Sequence, residues 1–134
     1  MYFKDIIGQQ EAKTKLLGMF ADNRIPHALM LTGPEGSGNL LAAFAFIQYV
    51  FCTQKQEKDS CGVCPSCIKT SKLGHPDLHL VFPIAKSKEI KTSNDLLLEF
   101  RECFLENPYI TIHDWFNNIN AENKQPLIPT EEAS

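Results

Sequence analysis

The sequence predicts an α/β nucleotide-binding fold that carries a metal-binding insert. Two observations support this prediction. A short apolar run at 28–32, typical of a buried parallel strand, is followed by a glycine-rich turn and then by the strongly apolar helical stretch 39–51. Four of the five cysteines then lie within sixteen residues, at 52–67. We therefore expect a metal ion, bound by these cysteines, to cross-link the loop that follows this helix.

The glycine-rich turn resembles a phosphate-binding loop of the pattern G-x-x-x-x-G-K-[ST]. Its glycines are Gly33, Gly36 and Gly38. Such glycines let backbone N–H groups curl around a phosphate at the N-terminus of a helix. The motif is incomplete, because Asn39 replaces the lysine and Leu40 replaces the Ser/Thr that binds Mg²⁺.

These two replacements predict that the loop has lost its nucleotide chemistry. A lysine charge about 4 Å from a phosphate charge is worth up to roughly 4 kcal/mol near a surface, and an asparagine supplies none of it. A leucine offers no oxygen to Mg²⁺. We expect a turn that is retained for its geometry, no ATP binding and no enzymatic activity. A working ATP site is the alternative interpretation of the same loop.

The cysteine spacing Cys52-x8-Cys61-x2-Cys64-x2-Cys67 predicts a zinc site. The two CxxC steps allow neighbouring sulfurs to converge on one ion, and four thiolates complete a tetrahedral shell. A closed shell leaves no position for water or substrate, so we expect a structural role. The fifth cysteine, Cys103, lies in an amphipathic stretch and is predicted to be a packed thiol.

Three other interpretations of the clustered cysteines remain open. Disulfides are disfavoured because residues 1–4 lack a basic region followed by an apolar core, so we expect a cytoplasmic chain with reduced thiols. An iron–sulfur cluster is disfavoured because Ser71 stands where the bacterial ferredoxin run would place its next cysteine. Unliganded free thiols are the third possibility.

The order of these motifs resembles the N-terminal part of a clamp-loader subunit of bacterial DNA polymerase III. The chain opens with FKDIIGQ at 3–9, and RIPHA at 24–28 precedes the glycine loop. The four-cysteine insert comes next, and HPD at 75–77 leads into LHLVFP. All these elements occur in the family's order across residues 1–83.

The resemblance implies an AAA+ fold, which is a P-loop NTPase-like parallel sheet flanked by helices. It implies that residues 1–134 form the N-terminal part of an AAA+ domain and that 52–72 form a zinc-binding insert within it. It also implies that the zinc is held by Cys52, Cys61, Cys64 and Cys67.

Within the family, Asn39 and Leu40 favour the non-catalytic delta-prime type over the ATP-binding gamma/tau motor type. Such a subunit would support ATP-driven loading of the sliding clamp onto primed DNA during replication by DNA-directed DNA polymerase. The implied partners are the other clamp-loader subunits in a hetero-oligomeric ring, with the clamp and DNA reached through the complex. A zinc-containing nucleic-acid-binding module is a further alternative, which the net charge of −3 disfavours.

Parts of the family pattern are missing. No hydrophobic run ending in acidic residues follows Pro83, and the chain has no Ser-Arg-Cys element. It ends at PTEEAS, a plausible helix start with Thr130 as N-cap, so we expect a truncated domain or a piece of a longer gene product. No apolar stretch reaches the roughly 20 residues that cross a membrane, so no membrane partner is expected.

The sequence of the second half of the chain predicts mainly helical structure. The stretch 93–107 is amphipathic, with Ser93 or Asn94 as its N-cap and Pro108 ending it. In the following segment, Trp115 and Phe116 are predicted to form a local packing anchor. An apolar run at 78–82 is predicted to be a second strand of the sheet.

Overall fold

The computed structural model describes residues 1–121 and 124–133, and the chain divides into two compact units. The first unit covers Met1–His75 and the second covers Pro76–Ser134. Helices make up almost all of the regular structure in the described residues. No helix among them combines the length and the apolar character that a membrane crossing needs.

The first unit, which is described throughout, is helical. Its elements are a short 3-10 helix at Phe3–Asp5, α1 at Gln10–Ala21, α2 at Asn39–Phe51 and α3 at Pro65–Ser71. Helix α2 packs against both α1 and α3. The buried side chains outside the cysteine cluster include Phe3, Ile6, Leu16, Leu41, Phe44, Ala45, Phe46, Tyr49 and Leu73.

Helix α2 is the centre of this unit because its sequence, NLLAAFAFIQYVF, is almost entirely apolar. The rings of Phe3 and Phe20 contact the Tyr49 ring edge-on, with centroids 6.1 and 5.2 Å away. The helix ends where Cys52 takes an extended conformation, with φ −61° and ψ 132°. The predicted helix is therefore confirmed, and its end fixes the position of the first cysteine.

The second unit is organised around aromatic side chains. Its described elements are a 3-10 helix at Ser93–Leu96, α4 at Leu97–Glu106, α5 at Ile112–Asn118 and a 3-10 helix at Thr130–Ala133. Phe82 and Phe100 stack with centroids 4.2 Å apart, and the Trp115 ring contacts both edge-on at 5.3 Å. Trp115 and Phe116 are each 3% exposed, which confirms the predicted packing anchor.

The start of α4 differs slightly from the prediction. A 3-10 helix comes first, and its N-cap is Thr92 rather than Ser93 or Asn94. The Asp95 carboxylate accepts a hydrogen bond from the Thr92 N–H at 3.1 Å and so closes a capping box. The helix ends at Glu106, before the proline, as predicted.

The predicted parallel sheet is wrong. Residues 28–32 and 78–82 form no strand, and the β-pairing in the described ranges is limited to an isolated antiparallel bridge between Ile84 and Leu127. Met30 is 83% exposed, where a central strand would bury it. A parallel strand depends on ladder partners and on cover over both faces. Each compact unit contains one of the two apolar runs, and neither run gains these partners.

The absence of a sheet from the described residues removes the main structural argument for the AAA+ fold. The insert 52–72 falls wholly inside the first unit. Its boundaries, and the assignment of 1–134 to one domain, stay predictions.

Candidate metal centre

The four predicted ligands meet in the first unit. The sulfur atoms of Cys52, Cys61, Cys64 and Cys67 all lie within 4.8 Å of one another. Cys61 Sγ and Cys67 Sγ are 3.9 Å apart. Tetrahedral Zn²⁺ with Zn–S bonds of about 2.3 Å would separate its sulfurs by about 3.8 Å. The arrangement therefore has the dimensions of a four-thiolate zinc site.

Three local elements position these sulfurs. Cys52 is the residue that follows α2, and Cys67 lies in the first turn of α3. Between them, the turn 61–64 carries the other two cysteines. Gly62 bends this turn with a φ of 77°, a left-handed conformation that favours glycine. Proline at the first position of α3 starts the helix immediately after the turn.

Backbone N–H groups point at the sulfurs. The Cys61 N–H donates to Cys52 Sγ at 3.3 Å, and the Cys64 N–H donates to Cys61 Sγ at 3.3 Å. The Cys67 N–H donates to Cys64 Sγ at 3.4 Å. Such donors stabilise thiolate, which is the form that binds metal.

The thiols differ in acidity. Hydrogen bonds from the Thr53 and Cys67 N–H groups lower the pKa of Cys64 to about 5. The N–H groups of Val63 and Cys64 lower the pKa of Cys61. Burial raises the pKa of Cys67 to about 12. A divalent cation would offset that burial cost and allow all four sulfurs to ionise together.

The donor set fits a structural zinc ion. Four soft thiolates suit Zn²⁺ and iron, and they complete the tetrahedral shell without an open position. No disulfide joins any of the five cysteines. Cys103 is not part of the cluster; it is half-buried on α4, and burial raises its pKa.

Residues outside the cysteine motif hold the metal loop, which we define as residues 52–64. Gln48 is fully buried on α2, and its Nε2 donates to Ser60 Oγ at 2.9 Å. A carbon placed as Cβ on Gly62 would lie 1.6 Å from the Tyr2 hydroxyl, so the tyrosine covers the cysteine turn. The cysteine motif alone does not predict these contacts. The one available signal was a glutamine within an apolar helix.

Asp59 ties the metal loop to the N-terminal segment. Its Oδ1 accepts hydrogen bonds from the N–H groups of Phe3 and Ser60, each at 3.0 Å. Its Oδ2 accepts from the Lys4 N–H at 3.2 Å. Two of these donors, Phe3 and Lys4, open the 3-10 helix, so the carboxylate acts as a charged cap of that helix.

We expect Asp59→Asn to lower the free energy of unfolding by about 1–2 kcal/mol, because the amide replaces one acceptor oxygen with a donor that faces an N–H. Urea unfolding of the chain measures this. Asp22→Asn is the matched control, since Asp22 is exposed and its side chain makes no described hydrogen bond. Equal stability of the two variants would show that the Asp59 contacts contribute little.

The predicted phosphate loop keeps its glycine geometry. Gly36 and Gly38 have φ of 76° and 86°, in the left-handed region. At Gly33, an added Cβ would lie 2.9 Å from Ser37 Oγ and 3.0 Å from Asn39 Oδ1. Two polar side chains therefore fold back over the first glycine and would have to move to admit a larger residue.

The two positions that depart from the motif, Asn39 and Leu40, are the first two residues of α2. Asn39 Oδ1 accepts a hydrogen bond from the Ser37 hydroxyl at 2.9 Å. Leu40 is half-buried. The loop therefore presents an amide and an apolar side chain where the motif calls for an ammonium and a hydroxyl.

Comparisons with known proteins agree with the motif order. A family model described as DNA polymerase III, delta subunit, matches residues 8–122. The DNA polymerase III subunit delta' of Bacillus subtilis is 33% identical over 104 residues, which cover 75% of this chain and 31% of that protein. The delta' subunit of Yersinia pestis is 33% identical over 69 residues, covering 52% of this chain and 20% of that protein.

Relatives with another name also match. A DNA polymerase III subunit gamma/tau of Mycobacterium tuberculosis is 32% identical over 66 residues, covering 49% of this chain and 11% of that protein. The chain thus spans less than a third of the curated relatives it matches. No solved structure gives a significant match. Since the family model covers most of the sequence, this chain belongs to the DNA polymerase III delta subunit family.

Proposed function

We propose that this chain is a delta-prime-type subunit of the bacterial clamp loader, and that it neither binds Mg-ATP tightly nor hydrolyses it. The choice of the delta-prime type rests on one observation. Asn39 and Leu40 replace the lysine and the Ser/Thr of the motif, although the spacing of the glycine loop is otherwise intact. Relatives named delta' and relatives named gamma/tau both match, so family membership alone does not separate the two types.

The loop chemistry supports a non-catalytic role. Phosphoryl transfer depends on a lysine and a metal ion that neutralise charge on the phosphates. Asn39 carries no charge, and its side-chain oxygen accepts the Ser37 hydroxyl. Leu40 has no oxygen for Mg²⁺. The backbone N–H groups of the loop remain, so a weakly held anion there is compatible with the proposal.

The metal centre supports a structural role within an assembly. A closed four-thiolate site contributes folding energy rather than chemistry. We propose that the chain packs against other clamp-loader subunits in a hetero-oligomeric ring, in the cytoplasm, and that it meets the sliding clamp and primed DNA through that complex. The names of the relatives, which are subunits of one polymerase, support this part of the proposal.

Calorimetric titration with Mg-ATP tests the proposal. We expect no measurable heat of binding for the unmodified chain, and measurable binding after Asn39→Lys combined with Leu40→Thr, because the double change restores the charge and the metal ligand. Asn118→Lys is the control, since it adds the same charge at an exposed position of α5. Micromolar affinity in the unmodified chain would instead identify a gamma/tau-type motor subunit.

A further inference from the structure

Lys13 is a buried cation that the proposed function does not use. It lies on α1 and is only 9% exposed. Its ammonium donates to the Ile6 carbonyl at 2.7 Å. An ammonium has three N–H donors, and no carboxylate partner of Lys13 is found among the described residues. A charge removed from water in this way gains from an anion placed beside it.

A cavity of about 570 Å³ opens beside Lys13. One wall is apolar and comes from Phe3, Leu17 and Tyr49. Thr14, one position along α1, adds a hydroxyl to the lining. This volume falls within the range of about 300–1,000 Å³ that holds small organic ligands, and a mostly apolar lining with a few polar groups is typical of such sites.

The charges around the cavity favour a negative ligand. Lys4 and Lys58 join Lys13 in the lining, against the carboxylates of Glu57 and Asp59. Three lysines therefore face two carboxylates, and the lining carries a net positive charge.

We propose that this cavity binds a small organic anion. A carboxylate or phosphate group would pair with the Lys13 ammonium, and an apolar or planar body would lie against Phe3, Leu17 and Tyr49. The site is distinct from the glycine loop, because none of the residues 33–40 lines the cavity. It does not depend on whether the chain is of the delta-prime or the motor type.

Amide NMR titration of the whole 134-residue chain tests the proposal with three defined probes. Phenyl phosphate and phenylacetate carry the anion, and 2-phenylethanol is the neutral analogue. We expect an anionic probe to shift the signals of Gly18 and Ala21, which line the cavity, with a Kd at least about tenfold lower than that of the alcohol. The tighter of the two anions identifies the preferred group. Equal affinity for the alcohol, or no shift at these residues, overturns the proposal.

Variants of α1 locate the site. Lys13→Met should weaken anion binding about tenfold or more, whereas Lys13→Arg should retain it. Lys15→Met is the matched control, because Lys15 is exposed on the same helix and does not line the cavity. Equal loss in the Lys13→Met and Lys15→Met variants overturns the assignment.

A cavity-filling variant covers the case in which Lys13→Met does not fold. An added Cβ at Gly18 would meet no heavy atom within 4 Å, and Gly18 lines the cavity. Gly18→Leu should therefore fold well, since leucine favours helix, and should block the anionic probes. Unchanged binding in a folded Gly18→Leu variant counts against the site.

Discussion

Removing the metal is expected to unfold the metal loop together with α3. Cys52, Cys64 and Cys67 form a buried cluster of their own, against which Cys61 packs, so the ligands are most of the core of this region. Without a cation the Cys67 thiol, whose pKa burial raises to about 12, must take up a proton. The cluster then offers little apolar area to hold the loop. Loss of a metal site is one of the few single changes that cost about 4 kcal/mol or more. We expect Cys64→Ser to lower the free energy of unfolding by about this amount.

Two measurements check this result. Elemental analysis of the purified chain should give one Zn²⁺ per molecule, with Zn–S distances near 2.3 Å by X-ray absorption. Hydrogen exchange should then show that chelation removes protection from residues 52–72, because the loop and α3 lose the metal ion that joins them. Trp115 fluorescence reports separately on the second unit, in which that side chain is buried.

Cys103→Ser is the matched control for Cys64→Ser. Its half-buried thiol lies on α4, outside the cluster, and the variant should keep its zinc and its exchange pattern. A brown protein that contains iron would contradict the choice of metal. A metal-free protein with Cys61 and Cys64 joined in a disulfide would contradict the site itself.

The cluster of four cysteines could be predicted from sequence because its geometry is local. Two CxxC steps bring three sulfurs together over seven residues, and only Cys52 comes from further upstream. The contacts that hold the loop could not be predicted. Asp59 caps a segment more than fifty residues away, and Tyr2 covers Gly62 from the same segment. The local sequence pattern predicts neither the Asp59 cap nor the contact between Tyr2 and Gly62.

The helices were predictable for the same reason. The absence of a sheet from the described residues was not predictable. The apolar sequence of α2 and the amphipathic pattern of α4 specify helix within one segment. A strand is specified by its partners, and an apolar run such as 28–32 contains no information on whether they exist. The described residues supply no partners for that run or for 78–82.

The structure of the glycine loop could be predicted only in part. Its spacing predicted a turn that needs glycine, and the positive φ of Gly36 and Gly38 agrees. The side-chain arrangement was not predictable, since a sequence does not show that Asn39 folds back to Ser37 and over Gly33. The absence of nucleotide binding stays a prediction, which the titration with Mg-ATP tests.

Trp115→Ala is expected to unfold the second unit or nearly so. The ring contacts Phe82 and Phe100, and the indole N–H donates to the Pro83 carbonyl at 2.8 Å. The truncation leaves a cavity beside the stacked rings of Phe82 and Phe100 and leaves the Pro83 carbonyl without its donor. Large-to-small changes of this kind cost about 3–5 kcal/mol, which is a large share of the stability of a unit of this size.

Urea unfolding followed by circular dichroism measures the change, because the variant lacks the chain's single tryptophan. Trp115→Phe separates the two contributions: it keeps a ring against Phe82 and Phe100 but loses the donor, so we expect a smaller cost of about 1–2 kcal/mol. Leu98→Ala is the control, since Leu98 is 67% exposed on α4 and should change stability by less than about 0.5 kcal/mol. If Trp115→Phe were as damaging as Trp115→Ala, the hydrogen bond to Pro83 would matter more than the ring packing, and the aromatic cluster would not be the main source of stability in this unit.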